Sequence, residues 1–415
     1  MLMWLTLSLR NIIKNGRRSL TTILAIALGY AAVNLFSGYV HSTYQGLTYS
    51  AIHGEGLGHL TIYKEGFLAQ GKLHPEKYQF TTAEVEKISD LIRKRPDVEL
   101  VTPRLEVAGI ISNGKNSTIF ISQGLVAKDD VAIRGDMTKY SSFTGSYLVD
   151  QERTGVVVGA ELAEMLNLKI GSDAVILSNT YSGMANALDV KVLGVYNTGF
   201  SATNDKMVLM TYPHAQDLVD FHGAEKLVVL LKNGGDGNNA TTAGRQIHAM
   251  LAQAGFNTEL KTWDQLSVFY KQVKNMFDMI FLFIFSIVLV IVIMSVVNTM
   301  SMSVMERTRE IGTMRALGLK RYGVKFLFAT EGALLGLLGS AAGGVIFALV
   351  YAVIVATNPT YLPPSSSNPV PLRVDLVWPM LIRSLFLMAL LSFIAAFLPA
   401  RRSSRMTIVD ALGHV

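Results

Sequence analysis

The sequence predicts an α-helical membrane protein with four transmembrane helices plus a large α+β extracytoplasmic domain between the first and second. Three observations carry that prediction. Half of the 415 residues are hydrophobic, only 16% are charged and the mean hydropathy is +0.35, too apolar for a soluble domain of this length. Four stretches, 20–40, 276–299, 326–356 and 376–398, each reach the roughly 20 mostly apolar residues that cross a hydrocarbon core. Between the first and second lies a long segment, 43–262, of ordinary soluble character, enough for one or two domains. The resulting division is a cytoplasmic segment 1–19, a first span 20–42, the outer domain 43–262, a stalk and second span 263–300 and a cytoplasmic loop 301–324. A third span 325–356, a short outer loop 357–375, a fourth span 376–398 and a cytoplasmic tail 399–415 complete it.

The N-terminal segment carries Arg10, Lys14, Arg17 and Arg18. The first span reads as an uncleaved anchor, because its apolar run exceeds the roughly 7–15 residues of a signal peptide and no small-x-small cleavage site follows Val40. Orientation follows from the lysines and arginines. The loop after the second span adds Arg307, Arg309, Arg315, Lys320, Arg321 and Lys325, and the tail adds Arg401, Arg402 and Arg405. With four spans these three pieces share one side, which predicts a plasma (inner) membrane protein with both termini cytoplasmic and the large domain periplasmic. The net charge of +6 therefore reports topology. The soluble part has no basic patch, which excludes nucleic acid as a partner. Cysteine is absent, which removes disulfides and thiolate metal sites.

In the outer domain, runs rich in β-branched residues predict strands at 59–64, 117–125, 155–159, 174–179, 189–196, 206–212 and 226–232. Apolar periodicity predicts helices at 82–95, 160–168, 213–221 and 241–254, and "NGGDGNN" (233–239) reads as a turn or flexible loop. A mainly-β insert is expected at about 125–215. "HGEGLGH" (53–59) reads as a flexible exit from the first span, since a glycine-rich loop holds metal ligands poorly. No G-x-x-x-x-G-K-[ST], H-E-x-x-H or nucleophile elbow occurs, so the chain is not expected to be an enzyme or to bind a cofactor or metal itself.

Trp263, Leu266, Tyr270, Val273 and Phe277 recur at steps of three and four, an amphipathic stripe entering an apolar helix. With no proline or glycine from Lys261 to Arg309, one continuous rod over 262–299 is expected, about 57 Å at 1.5 Å per residue. The third span holds Gly332, Gly336, Gly339, Ser340, Gly343 and Gly344, whose 332/336, 339/343 and 340/344 spacings predict close helix packing. Glu331, near the cytoplasmic end of that span, should meet a cytoplasmic basic residue, and Arg383 should snorkel outward.

The sharpest feature is the change after 279–297, nineteen residues without a charge, to the charged segment 298–321. Val304, Ile311, Met314 and Leu317 form an apolar line, and Glu306–Arg309 and Arg307–Glu310 are spaced to pair at i,i+3. An amphipathic helix of this kind either lies on a membrane or enters a partner's groove. Anionic lipid would select lysine and arginine alone, so glutamates beside arginines point to a protein partner.

Those residues carry a resemblance. "NTMSMSVMERTREIGTMRALG" resembles the FtsX-domain motif of MacB-like ABC-transporter permeases, "EGALLGLLGSAAGGV" (331–345) the glycine-rich third span, and "LPARRSSRMTIVDAL" (398–412) the terminal signature, with Thr407 and Ile408 where proline is common. "VVVGAELAEMLNLKIGSDAVILS" and "TWDQL" resemble the family's outer domain and its entry to the second span. The chain lacks the nucleotide-binding domain fused in MacB, so its arrangement is more similar to LolC and LolE, the lipoprotein-releasing permeases.

The resemblance implies a mechanotransmission mechanism. A coupling helix formed by Val304, Met305, Glu306, Arg307, Arg309, Glu310, Ile311, Met314, Arg315 and Leu317 would dock on an ABC ATPase subunit that binds ATP and Mg. Two ATPase copies and a second permease, identical or a sister chain, would complete the complex. Lipoprotein or another lipidated or amphipathic substrate would leave the outer leaflet or periplasm. In a LolC/LolE-like reading its acyl chains enter between Leu35, Phe36, Tyr39 and Val40 of span one and Met276, Phe277, Ile280 and Phe283 of span two. A periplasmic lipoprotein carrier is a further possible partner, although the loop 179–188, where LolC carries its hook, is short. The alternatives are a non-transporting FtsX-like activator of a periplasmic partner and a macrolide or peptide efflux permease.

Overall fold

The computed structural model describes residues 2–403 apart from 72, 136–141, 200, 233–236 and 363–368, together with Thr407. The chain divides into two compact units, one drawn from 1–44, 273–359 and 371–415, the other from 45–272 with 360–370.

The first unit is helical. It contains an N-terminal helix (Leu2–Lys14), a first span helix (Gly16–Tyr49), a second (Val268–Glu306), a short elbow helix (Thr308–Ala316), a third span helix (Arg321–Thr357) and a fourth (Trp378–Ser403). The four long helices have the length and apolarity to cross a membrane. Lipid is as apolar as leucine, so close backbone approach and interhelical hydrogen bonds must hold such helices together. The third span helix shows how. A Cβ on Gly336 would lie 2.8 Å from Ala389 Cα of the fourth helix, and one on Gly332 would strike Ala396 and Ser392. Gly339 and Gly343 face the first span helix instead, where an added Cβ would lie 2.6 Å from Ile26 Cβ and 2.6 Å from the Ala27 carbonyl. The two glycine pairs therefore serve two different neighbours. The expected 340/344 contact is not made by Gly344, which faces open space.

On the second span helix, Val288, Val292, Val296, Met300 and Val304 recur every fourth residue as its buried stripe. Polar rivets supplement this packing: Thr22 to Thr299 (2.6 Å), the Tyr30 hydroxyl to the Leu381 carbonyl (2.9 Å), and the Ser384 hydroxyl to Asn34 Oδ1 (2.9 Å).

The second unit is α+β. Within 45–272 its described strands are β1 (Leu60–Lys64), β2 (Phe80–Thr81), β3 (Val98–Ser112), β4 (Ser117–Leu125), β5 (Ser142–Gly145), β6 (Gly155–Gly159), β7 (Asp173–Asn179), β8 (Ala185–Asn197), β9 (Met207–Thr211), β10 (Gly223–Ala224), β11 (Lys226–Leu231) and β12 (Thr258–Thr262). Among the described residues, ten of these form one sheet in the order β12-β1-β11-β3-β4-β9-β6-β8-β5, with β7 pairing β3 and β8. β4 runs parallel to β9, and β6 to β8. β11, "KLVVLL", is buried at every residue, which explains its unbroken apolar run. Helices Thr82–Arg93 and Gly237–Gln253 lay Ile88, Ile92, Ile247 and Leu251 over Leu60, Ile62, Leu227 and Val229. Thr81 and Glu84 form a capping box at the first of these, a T-x-x-E signal present in the sequence.

Several expectations change. The segment 125–215, expected as a mainly-β insert, contributes β5 to β9, and these join one sheet with β3 and β4. β3, the fifteen-residue strand that joins the two halves, has no simple sequence signal, since Pro103, Arg104 and Glu106 interrupt its alternation. Of "NGGDGNN", residues 233–236 lie outside the described residues and Gly237 already begins a helix. Most of 404–415 and of the outer loop at 363–368 also lie outside them.

The rod over 262–299 is interrupted at its start. A one-turn helix (Trp263–Leu266) is followed by Ser267 in extended geometry (φ −68°, ψ 103°), and the long helix begins at Val268. The Ser267 hydroxyl accepts from the Tyr270 amide at 3.3 Å, an N-cap that ends one helix and starts the next without proline or glycine.

Candidate functional site

Two regions of the helical unit gather polar or aromatic side chains in unusual density. The first is the elbow between the second and third span helices. Arg307 is its turning point, non-helical at φ −110°, ψ 16°. The Thr308 hydroxyl donates to the carbonyls of Val304 (3.1 Å) and Met305 (2.9 Å), satisfying the end of the long helix. The elbow helix closes in a Schellman motif: Gly318 adopts φ +101°, its amide donates to the Arg315 carbonyl, and the Leu319 amide to that of Met314. "RALGLK" carries that stop in sequence, because an L-side chain at 318 would be strained.

Charges organise the elbow. Arg307 Nε donates to Glu310 Oε2 at 2.8 Å, the expected i,i+3 pair. Glu306 does not pair with Arg309; its carboxylate accepts from Arg18 of the first span helix. The i,i+3 spacing permitted the local pair, but folding brings a cation from nearly 300 residues away onto the same carboxylate. Lys14 approaches Glu310 at 3.9 Å. Glu331, only 2% exposed, lies 3.5 Å from Arg307 and accepts from Asn11 Nδ2 at 3.4 Å, so it does meet a basic residue. Arg383 is exposed.

The apolar line also splits. Val304 and Ile311 are buried in the helical core and Met314 packs against it, whereas Met305 (63%) and Leu317 (84%) are exposed. Val304 and Ile311 are thus unavailable to a partner. A four-residue stripe places Val304 in line with Val292 and Val296, and that inward stripe takes precedence over the amphipathic reading of the charged segment alone. Tyr322, 70% exposed beside the elbow, is an additional surface residue that the sequence reading missed.

The second region is aromatic. Phe36 and Tyr39 of the first span helix meet Phe277 of the second at ring-centre distances of 6.2 and 5.7 Å, and Phe36 stacks on Phe281 at 6.3 Å. The Tyr44 hydroxyl donates to Asp278 Oδ1 (2.9 Å). Leu35 and Val40 are half-buried, while Met276 (49%), Ile280 (37%) and Phe283 (67%) lie exposed on the second helix. The structure therefore brings Phe36, Tyr39 and Phe277 together and leaves Met276, Ile280 and Phe283 as an open apolar face beside them.

Within the α+β unit, a buried ionic node fixes the segment that follows the first span helix. Asp130, 1% exposed, accepts from Arg104 Nη2 (2.5 Å), Arg134 Nε (2.6 Å) and the Tyr147 hydroxyl. Burial opposes that carboxylate's charge, but the two guanidiniums and the Tyr147 hydroxyl outweigh it and hold its pKa at about 2. Arg134 Nη1 reaches on to the Gly54 carbonyl (2.6 Å), and His53 Nδ1 contacts the Ile133 carbonyl (2.5 Å). Residues 50–54 are π-helical, Glu55 accepts from the Ser267 hydroxyl (3.0 Å), and buried His59 accepts from the Leu231 amide (3.0 Å). Burial, with His53 adding to it, lowers the His59 pKa to about 4, so the ring is neutral at physiological pH. The expected flexible exit is in fact tethered at four points. Gly58, at φ +61°, leaves no room for a side chain, because a Cβ there would lie 2.8 Å from the Val229 carbonyl.

Comparison with known proteins matches both units. The MacB-like periplasmic core domain family covers residues 19–247, more than half of the chain, and the FtsX-like permease C-terminal family covers 282–408. The chain belongs to the MacB/FtsX-like ABC transporter permeases. An uncharacterized ABC transporter permease of Methanocaldococcus jannaschii is 23% identical over 98% of this chain and 97% of its own. The lipoprotein-releasing system transmembrane protein LolC of Xylella fastidiosa is 21% identical over 77% of this chain and 78% of its own. The macrolide export ATP-binding/permease protein MacB of Chromobacterium violaceum is 27% identical over 56% of this chain, which spans about a third (34%) of that protein. The crystal structure of the periplasmic region of MacB from Actinobacillus actinomycetemcomitans aligns with 54% of this chain at 15% identity and a TM-score of 0.38.

In this MacB/FtsX-like permease the FtsX match contains the elbow, and the MacB-core match contains the buried node and all but the first three residues of the first span helix. Of the node, only Asp130 and Arg134 are neighbours in sequence, an i,i+4 pair on the helix Ala127–Arg134; Arg104 and Tyr147, 43 positions apart, join them only in the fold.

Proposed function

We propose that the chain is the permease subunit of an ATP-driven mechanotransmission transporter that extracts lipoprotein, or another lipidated or amphipathic substrate, from the outer leaflet or periplasm. The observation that supports this reading most is the aromatic cluster of Phe36, Tyr39 and Phe277, continued by the exposed apolar face of Met276, Ile280 and Phe283. Acyl chains need a long apolar contact without directional bonding, and aromatic and methionine side chains adapt to them. The single polar pair at its edge, Tyr44 with Asp278, would face a head group.

ATP hydrolysis is assigned to two copies of a separate ABC ATPase subunit, with Mg bound there, and a second permease, identical or sister, completes the complex. In this reading the elbow helix is the coupling helix, and the exposed residues that flank it, Met305, Leu317 and Tyr322, meet the ATPase. The 39-residue second span helix, about 58 Å at 1.5 Å per residue, transmits the displacement. Both termini and the elbow are placed in the cytoplasm by the positive-inside rule.

The test uses the purified complex in lipid nanodiscs. A triacylated lipopeptide should raise ATP hydrolysis severalfold, and Phe277→Ala should abolish that rise while leaving basal hydrolysis in place. Stimulation by a macrolide instead would favour efflux, and no response to either, with activation of a wall hydrolase, would favour a signalling role.

A further inference from the structure

Two breaks flank the elbow helix: residues 317–320 before the third span helix and the single non-helical residue Arg307 after the second, and such breaks ordinarily make hinges. Here the side chain of Arg307 is committed. The Arg307 guanidinium bonds forward to Glu310 on the elbow helix, approaches Glu331 on the third span helix at 3.5 Å, and lies 5.7 Å over the Phe328 ring of the same helix. Glu331 is buried in an otherwise apolar span, where a lone carboxylate is costly, so releasing Arg307 would strand it. The same turn of the third helix binds the N-terminal helix through Asn11–Glu331 and Ser8–Thr330 (3.3 Å). Two further ion pairs of the elbow among the described residues, Arg18–Glu306 and Lys14–Glu310, are exposed and screened, and cannot fix an angle as firmly.

We infer that Arg307 and Glu331 form a latch that makes the elbow helix move as one body with the third span helix, so that any displacement of the elbow is delivered to the second and third spans together. Arg307 and Glu331 are positioning residues in this scheme. The inference rests on the proposed coupling role only for the source of the displacement; the rigidity of the latch is a property of the chain itself.

The natural absence of cysteine allows a direct test on the full chain. Spin labels at Thr313→Cys and Leu338→Cys, both exposed, report the elbow-to-third-helix separation, on the order of 30 Å from the helical rise. Measured in nanodiscs with the co-expressed ATPase, the wild-type pair should give one narrow distribution that moves by less than about 2 Å on adding ATP and vanadate. Glu331→Gln should broaden it about twofold and let it shift with nucleotide. Arg307→Gln should do the same, and the double variant should be no broader than either single one, the non-additivity of a pair acting together. A wild-type shift above about 5 Å, an unchanged width in Glu331→Gln, or additive broadening in a monodisperse double variant would overturn the latch. Failure of the ATPase to co-purify with the wild type would overturn the coupling reading alone, because the width comparison stands without it.

Discussion

Asp130 gives the most quantitative prediction. Among the described residues it is the only anionic partner of two buried guanidiniums, Arg104 and Arg134, each with a side chain 2% exposed, and Arg104 Nε makes no hydrogen bond there. Asp130→Asn leaves two cations in the core with no counter-charge. Breaking a buried pair by removing one partner costs about 3–5 kcal/mol. The depressed pKa of the carboxylate points the same way: lowered from 3.8 to about 2, it corresponds to about 2–3 kcal/mol. The two agree in scale. Because the folded pKa lies below the unfolded one, that contribution is complete above about pH 4 and is lost as pH falls towards 2. Hydrogen exchange read by mass spectrometry on the full chain reports it at the β4 and β6 amides. Where exchange follows unfolding of the domain, Asp130→Asn should accelerate it by about 10²- to 10³-fold at pH 7. Acceleration below about fivefold would refute the argument, since the node would then be neither desolvated nor paired as its geometry requires.

Three further outcomes follow from the same reasoning. Leu317→Asp should remove most ATPase co-purification, whereas Glu306→Ala should change it less than about twofold, because its exposed pair with Arg18 is worth about 0–1 kcal/mol; quantitative pull-down separates the two. Gly339→Leu, forced against Ile26, should cost about 1–3 kcal/mol or more and lower the thermal midpoint in detergent, while Gly344→Leu, facing open space, should leave it within a degree or two. His59, whose pKa is lowered to about 4, favours the folded state above pH 6.5, and that contribution falls away between about pH 6.5 and 4, up to about 3 kcal/mol. The pH slope of β11 amide exchange over that window should flatten in His59→Asn.

Much of this protein was legible in its sequence, and the legible parts share a cause. Span length, the position of basic residues, β-branched runs, the Thr81/Glu84 cap and the Gly318 stop are set by local sterics or by transfer from water, which act on each segment alone. The close-packing role of the third-span glycines belongs to this group as well, although which helix each pair meets does not. The absence of proline and glycine predicts an unbroken rod from residue 262, but the hydroxyl of Ser267 breaks it by accepting from the Tyr270 amide and so starting a new helix at Val268.

The tertiary structure decided whatever depends on which of several chemically equivalent partners is near. Spacing alone offered Glu306 to Arg309, and folding gave it to Arg18. Amphipathicity offered Val304 and Ile311 to a partner, and the helical core took both. The node on Asp130 and the latch at Glu331 arise where residues far apart in the chain share a dehydrated volume, and there the cost of an unpaired charge selects one arrangement. Sequence by itself determined a four-span permease with an α+β domain after the first span; the three-dimensional packing determined which of its charges hold it together and which remain available to a partner.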